Sequence, residues 1–170
     1  MQYWPNSAPK QLTAPGIPTI SYNPDGKGRP YQVSASSGQN PVTNTVFNAA
    51  NLPTSITYGS TDTDAFSYDS NTNRITQYQF TVNGQSLTGA LTWNPNHTLA
   101  SQNITDPFNS ADAQSCSYAH DDLTRLASVS CGSAWSQTFS YDAFGNLSKS
   151  GTMSFLPIYK DTSGNTTTAT

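Results

Sequence analysis

The fold is decided by a stretch that reads Trp135-Ser136-Gln137-Thr138-Phe139-Ser140-Tyr141-Asp142-Ala143-Phe144-Gly145-Asn146-Leu147. Phe139 and Tyr141 alternate with polar residues, which is the period of two of a half-buried strand. Asp142 predicts a turn, because its carboxylate can accept hydrogen bonds from the turn's own backbone N–H groups. Gly145 follows where a hairpin commonly needs a positive φ, and Leu147 begins a returning strand. The stretch therefore predicts one β-hairpin.

The same pattern of an aromatic residue, a polar turn and an aliphatic residue recurs along the chain. The aromatic residues of the copies are 25, 21, 25, 25 and 23 residues apart: Tyr22, Phe47, Tyr68, Trp93, Tyr118 and Tyr141. A period in this range indicates a repeated supersecondary unit. A repeat also disfavours catalysis, because an active site needs a unique constellation of residues. Since one hairpin is marginally stable alone, we expect the units to stack and the six aromatic residues to form a ladder that packs between repeats.

The turns differ in detail between the copies. Three residues after the first Asp or Asn, the sequence places Asn51, His97 or Gly145, which are residue types that tolerate left-handed geometry. The turns after Tyr68 and Tyr118 contain one or two extra residues, so longer loops are expected there. The copy at Tyr118 also lacks the following Asp, and the sequence leaves open whether Asp121 or Asp122 replaces it.

Composition supports strands over helices. The chain of 170 residues has no glutamate and nine leucines, whereas Ser, Thr and Asn occupy 61 positions. The formal net charge is −3, and the scattered basic residues give no electrostatic footprint for nucleic acid. No stretch approaches the roughly 20 apolar residues of a membrane span. A surface poor in Lys and Glu is typical of exported proteins, so we expect an extracellular or cell-surface location.

The pattern resembles the YD repeat of Rhs proteins, which also occurs in bacterial toxin-complex shells and teneurins. The resemblance rests on Phe139-Ser140-Tyr141-Asp142-Ala143-Phe144-Gly145-Asn146-Leu147 and on Phe66-Ser67-Tyr68-Asp69. It implies hairpins in a long sheet that spirals into a hollow shell around a toxic C-terminal domain, in an exported or surface-displayed protein. Shell cleavage is not carried over, because Asp106-Pro107 lacks the family's surrounding pattern.

The predicted fold class is all-β, with tandem YD-type hairpins forming an extended, twisted antiparallel sheet or a β-spiral ribbon. We expect an irregular N-terminal segment at 1–16, six hairpin repeats at 17–155, and an incomplete seventh repeat or flexible tail at 156–170. The seventh turn would lie within Tyr159-Lys160-Asp161-Thr162-Ser163-Gly164-Asn165. Such an ending suggests a piece of a longer array, whose partners would be the rest of that array or a second copy paired through a sheet edge.

The residues with catalytic or metal-binding potential form no convincing site. His97 and His120 are expected in turns of different repeats, without the further ligands that zinc requires. Ser7 and Lys10 match a Ser-x-x-Lys motif, but this motif needs a helix, and the surrounding prolines oppose one. The calcium-like run that starts at Asp69 has Arg74 where an EF-hand has glycine. A weaker metal site at Asp62 and Asp64 stays open, and the sequence predicts no catalytic, cofactor-binding or metal-binding residue and no cofactor.

Cys116 and Cys131 are expected on the two strands of the fifth hairpin. A disulfide between them would contribute about 3 kcal/mol in an oxidising compartment. The length of the fifth turn leaves their register open, so the sequence does not decide between a disulfide and two thiols.

The most economical interpretation is a structural segment of a shell or stalk, without chemistry of its own. The alternative is an adhesion module that binds surface glycans through exposed aromatic residues of the repeats.

Overall fold

The computed structural model describes residues 1–152, 158–160 and 166–168, and the described chain is all-β. Fourteen antiparallel strands form one sheet in which the order of the strands follows the chain. These strands are β1 Gln2–Tyr3, β2 Pro9–Leu12, β3 Ile20–Pro24, β4 Pro30–Ala35, β5 Val42–Phe47, β6 Pro53–Tyr58, β7 Thr63–Tyr68, β8 Ile75–Val82, β9 Gln85–Trp93, β10 Leu99–Thr105, β11 Gln114–His120, β12 Leu126–Ser130, β13 Ser136–Tyr141 and β14 Leu147–Gly151. A 3₁₀ helix, Ser110–Asp112, precedes β11, and β15 Ile158–Lys160 pairs with β16 Thr166–Thr168. The expected all-β hairpin array is confirmed.

The chain divides into two compact units. Unit 1 comprises Met1–Leu91 and Ile104–Ala113 and contains the hairpins β3–β4, β5–β6 and β7–β8. Unit 2 comprises Thr92–Asn103 and Gln114–Thr170 and contains the hairpins β11–β12 and β13–β14. The turn after Trp93, which joins β9 to β10, also lies in unit 2.

Five of the six turns after the aromatic residues share one backbone geometry. In the clearest case, Asp142 N–H donates to the carbonyl of Asn146 at 3.1 Å, and Gly145 N–H donates back to the carbonyl of Asp142 at 3.0 Å. The fourth turn residue is left-handed, with φ 83° at Gly145, and the equivalent residues are Gly28, Asn51, His97 and Thr124. This arrangement is a type I turn followed by a left-handed bulge residue, which is a common hairpin loop.

Two expectations about the turns are settled by this geometry. The turn after Tyr68 is longer by one residue, as expected, since Asp69 N–H donates to the carbonyl of Arg74. The longer loop expected after Tyr118 is wrong, because β11 continues to His120 and the turn runs from Asp121 to Arg125 with the common length. His120 is therefore the last residue of a strand, and the expectation that it lies in a turn is corrected.

The N-terminal segment 1–16 has more structure than its prolines suggested. Strands β1 and β2 pair there, and Trp4 begins a turn of the common geometry in which Ser7 is left-handed. Pro5 lies in this turn and Pro9 is the first residue of a strand, two positions where a missing N–H costs little. The expected seventh turn at residues 161–165 lies outside the described residues, and the boundaries at 17–155 and 156–170 stay predictions.

The register places contrasting side chains on the two faces of each unit. One face, here called the hydroxyl face, includes the cross-strand rows Thr63↔Thr81↔Ser86 and Ala65↔Gln79↔Thr88 in unit 1, and Ser128↔Thr138↔Ser150 in unit 2. The opposite face, here called the aromatic face, includes Phe66↔Tyr78↔Gly89 in unit 1 and Tyr118↔Val129↔Gln137 in unit 2. This alternation is the period of two that the sequence predicted.

Burial is sparse in a sheet of this kind. Among the described residues, five are buried. Cys116, Val129, Cys131 and Gln137 have 3 to 6% of their surface exposed and lie in unit 2, and Gly89 lies in unit 1. Stability therefore depends mainly on contacts between neighbouring strands and turns, as in other repeat proteins.

Gly89 provides a test of the packing on the aromatic face of unit 1. A Cβ atom at Gly89 would overlap the ring of Tyr78, its cross-strand neighbour. We expect Gly89→Ala to reduce the free energy of unfolding by about 1–3 kcal/mol through overpacking, measured by urea denaturation. The matched control is Gly26→Ala, because a Cβ there meets no atom within 4 Å. Equal stability of the two variants would contradict this packing.

Candidate functional site

The recurring site of this protein lies at the turns and is built around the first turn residue. One side-chain oxygen of this residue accepts two backbone hydrogen bonds. Oδ1 of Asp142 accepts the N–H groups of Phe144 and Asn146, both at 2.8 Å, and Oδ1 of Asp121 accepts those of Leu123 and Arg125 at 3.0 and 2.9 Å. The same pattern holds at Asp25 and at Asn48. The side chain thereby closes the turn from inside.

The second carboxylate oxygen binds the side chain of the fifth turn residue. Arg29 Nε donates to Asp25 Oδ2 at 2.7 Å, and Arg125 Nε donates to Asp121 Oδ2 at 2.7 Å. In the turn at Asp142 the donor is the Asn146 side-chain amide, also at 2.7 Å. We call the first and fifth residues of a turn, joined in this way, a turn lock.

Two turn locks extend to the aromatic residue of the following repeat. The Arg29 guanidinium lies 4.2 Å from the centre of the Phe47 ring in unit 1, and that of Arg125 lies 4.2 Å from the Tyr141 ring in unit 2. Arg29 also donates to the side chain of Asn51, the left-handed residue of the next turn, at 2.9 Å. A turn lock therefore combines a charge-assisted hydrogen bond with a cation–π contact between repeats.

The tyrosines of the ladder contact the preceding repeat through their hydroxyl groups. Tyr68 donates to the carbonyl of Pro53 at 2.9 Å, and Tyr141 donates to the carbonyl of Leu126 at 3.0 Å. Each acceptor is the first residue of the preceding strand. The six ladder residues are all half-buried. The contacts made by Phe47, Tyr68 and Tyr141 favour the interpretation that the ladder packs between repeats, and they disfavour an open sugar-binding platform.

Hydrogen bonding favours the ionised form of the turn carboxylates. The backbone N–H of Arg29 is the largest cause that lowers the pKa of Asp25, and the Asn146 side chain is the largest for the pKa of Asp142. At Asp121, burial raises the pKa, but the hydrogen bonds and charge of Arg125 outweigh it and the net shift is downward. The turn locks are therefore strongest when these groups are charged.

The residues considered for chemistry have structural positions. His97 is the left-handed residue of the turn that begins at Asn94, and Ser7 has the same place in the first turn. Lys10 lies over the Trp4 ring at 4.9 Å. No group of three or more potential metal ligands occurs in the described part of the chain.

The acidic pair considered for metal binding is engaged in hydrogen bonds. Asp62 accepts bonds from the Ser60 hydroxyl and the Asn83 N–H, and Asp64 accepts the Tyr58 hydroxyl at 2.6 Å. The bond to Asp64 is the main cause that raises the pKa of Tyr58 to about 12. These contacts give both carboxylates a structural role.

Cys116 and Cys131 form a disulfide, which settles the alternative that the sequence left open. They lie one pair beyond Ser117↔Ser130 in the register of β11 and β12. Together with Val129 they form a buried cluster against which Tyr118, Leu126, Trp135 and Phe139 pack. The sequence could not give this register, because the lengths of the turn and the bulge were unknown.

Unit 1 also contains an apolar hollow on its aromatic face. Its volume is about 390 Å³, and its lining includes Trp4, Pro9, Tyr22, Pro24 and Val33. Trp4 Nε1 donates to the carbonyl of Tyr22 at 3.2 Å and so joins the first hairpin to β3. The lining contains no charged side chain.

Solved structures of TcdB2–TccC3 complexes share this fold. The form without the hypervariable C-terminal region has a TM-score of 0.75 over 96% of this chain and 10% of that chain, at 14% identity. The TcdB2–TccC3–Cdc42 complex has a TM-score of 0.72 over 87% of this chain and 9% of that one, also at 14% identity. This chain thus spans about a tenth of the solved chains, and identity this low establishes likeness of fold alone.

No protein-family model matches the sequence, and no curated protein matches it. No helix in the described residues is long and apolar enough to cross a membrane.

The turn locks predict a loss of stability in acid. Because the folded-state pKa of Asp121 lies below the ordinary value of 3.8, its contribution is present above that value and is lost as the pH falls through the folded-state pKa. We expect the melting temperature to decrease as the pH is lowered from about 5 into the acidic range. Asp121→Asn, which keeps Oδ1 as an acceptor, should flatten this dependence, whereas Asp122→Asn at the exposed neighbour should not. Equal acid profiles for both variants would exclude the lock as the cause.

The tyrosine hydroxyls predict a second, independent effect. We expect Tyr141→Phe to lower the free energy of unfolding by about 0.5–1.5 kcal/mol, because it removes the hydrogen bond to Leu126. The control is Tyr31→Phe, at a half-buried tyrosine whose hydroxyl makes no hydrogen bond in the described chain. Denaturant unfolding of both variants measures the difference, and a larger loss for the control would refute the assignment.

Proposed function

We propose that this chain is a structural segment of the shell or stalk of an exported Rhs-like protein, which encloses or displays a toxic or adhesive domain. In this role the segment performs no chemistry of its own. Its contribution is a wall in which each hairpin holds the next one in register.

The observation that carries the proposal is the contact from an arginine of a turn lock to the following repeat, which occurs once in each unit. Arg29 reaches Phe47, and Arg125 reaches Tyr141, with the same separation of guanidinium and ring. An enzyme concentrates its special contacts at one place, whereas here an equivalent contact occurs in both units. Recurrence of this kind suits an array in which each repeat contacts its neighbours.

The comparison with solved structures supports the shell interpretation. The matched chains are about ten times longer than this one, and one of them is described as lacking a hypervariable C-terminal region. A constant shell followed by a variable C-terminal domain is the organisation that the YD resemblance implies. The likeness of fold and the sequence motif at Phe139–Leu147 are independent observations, and both support the same architecture.

The disulfide supports an extracellular or cell-surface location. Structural disulfides persist in oxidising compartments, and Cys116–Cys131 is almost completely buried. The scarcity of charged residues on a surface rich in Ser, Thr and Asn agrees with this location.

The partner that we propose is further repeat sequence of the same protein, or a second copy, paired with an edge of the sheet. Strand β14 is the last strand of the sheet, and all five of its residues are exposed. An exposed edge is a template for another strand. Glycan binding, the alternative function, stays a prediction without a contact in the structure that favours it.

The edge predicts association that a charge should weaken. We expect the purified chain to gain mass with concentration in light scattering, and Leu147→Lys to reduce this gain because it places a charge on the edge strand. Leu123→Lys is the matched control, because Leu123 lies at a turn tip and not on the edge strand. Leu123 is 69% exposed and Leu147 is 57% exposed. A monomer at all concentrations, or equal behaviour of the two variants, would oppose edge pairing.

The genomic context tests the class directly. Further YD repeats before this segment and a variable domain after it in the same reading frame would agree with a shell. A reading frame that ends at both sides of this chain would contradict the proposal. Trp93 fluorescence that responds to added surface glycans would instead favour the adhesion module.

A further inference from the structure

Two different closures hold the hairpin β11–β12 at its opposite ends. At the turn, Asp121 accepts two backbone N–H groups and the Arg125 side chain. At the other end, the disulfide joins Cys116 to Cys131 across the strands. The equivalent hairpin β3–β4 in unit 1 has the turn lock of Asp25 and Arg29 but no cysteine.

The disulfide is also tied to the next hairpin. Cys131 begins the turn between β12 and β13, where its N–H donates to the carbonyl of Trp135 at 2.9 Å. The Trp135 side chain in turn donates to Gln114, the first residue of β11, at 2.8 Å. Loss of the disulfide would therefore loosen β11, β12 and the start of β13 together.

The sulfur atoms are shielded in the closed hairpin. Cys116 is 3% exposed and Cys131 is 4% exposed, so an attacking thiolate cannot reach either sulfur without local opening. The turn lock at Asp121 holds the same two strands together at their other end, so its loss should make opening of this hairpin more frequent.

We propose that Cys116–Cys131 is a redox latch that a dithiol reductant releases after the Asp121 lock opens, and that its release loosens β11–β13 while unit 1 stays folded. The segment would hold its structure in an oxidising exterior and lose it locally in a reducing compartment. This inference does not require the shell function.

The chemistry of release is thiol–disulfide exchange. A thiolate of the dithiol attacks one cysteine sulfur, a mixed disulfide forms, and the other cysteine leaves as a thiolate. The second thiol of the reductant then displaces the first cysteine. Two electrons pass to the protein, both cysteines become thiols after protonation, and the reductant ends as a cyclic disulfide.

The test compares the purified chain before and after dithiothreitol, with thiols counted by alkylation and mass spectrometry. We expect two new thiols and faster hydrogen exchange in peptides from β11–β13, with unchanged exchange in peptides from β5–β8. Two new thiols with unchanged exchange in β11–β13 would overturn the proposal, as would an equal rise in both units.

The rate of thiol release tests whether the turn controls access. Asp121→Ala should increase the rate of alkylation under dithiothreitol by roughly tenfold. This ratio is expected when the free energy of local opening decreases by about 1.4 kcal/mol. Asp25→Ala removes the equivalent lock in unit 1 and should leave the rate unchanged. Equal rates for both variants would refute control of access by the turn lock at Asp121. The double variant Cys116→Ser, Cys131→Ser should reproduce the exchange pattern of the reduced chain, and if it unfolds entirely, latch release confined to unit 2 is wrong.

Discussion

The structure depends on one side-chain oxygen that accepts two backbone N–H groups inside a five-residue turn. Without this acceptor, the turn would leave two backbone N–H groups without a partner in the protein. The left-handed fourth residue would also be fixed by fewer hydrogen bonds. Because Asp142 and its equivalents close the turn at a fixed length, they also set the bulge and the register of the following strand. The register then decides which residues lie opposite Tyr78 or Val129. The residues of the turn therefore determine which side chains pack together on the sheet.

A sheet with so little buried surface cannot rely on a core in the usual sense. In the described chain, the buried residues are a small group around the disulfide in unit 2 and Gly89 in unit 1. Elsewhere the arginine of one turn covers the ring of the next repeat, and a tyrosine hydroxyl reaches back to a carbonyl of the repeat before it. Half-buried contacts of this kind stabilise each repeat through its neighbours, which explains why the aromatic residue recurs although no ring is fully enclosed.

The sequence predicted the hairpins because alternation and turn residues are local signals, and Phe139 to Leu147 contains both. The turn after Tyr22 was harder to place, because Asn23, Asp25 and Gly26 are all turn formers. Only the hydrogen bonds identify Asp25 and Gly28 as its first and fourth residues. The arginine stacking was missed, although Asp25–Arg29 and Asp121–Arg125 share one spacing that could have indicated it. The pairing of Cys116 with Cys131 needed the register, which a bulge at His120 shifts. Non-local geometry was therefore the part that local patterns could not supply.

The contacts between repeats also have a direction. The arginines of two turn locks, Arg29 and Arg125, contact an aromatic residue that comes later in the chain, and Tyr141 donates to a carbonyl of the preceding strand. During synthesis from the N-terminus, every new hairpin thus meets a finished neighbour that already presents its binding groups. Such a sheet can grow one hairpin at a time, with each repeat serving as the template for the next.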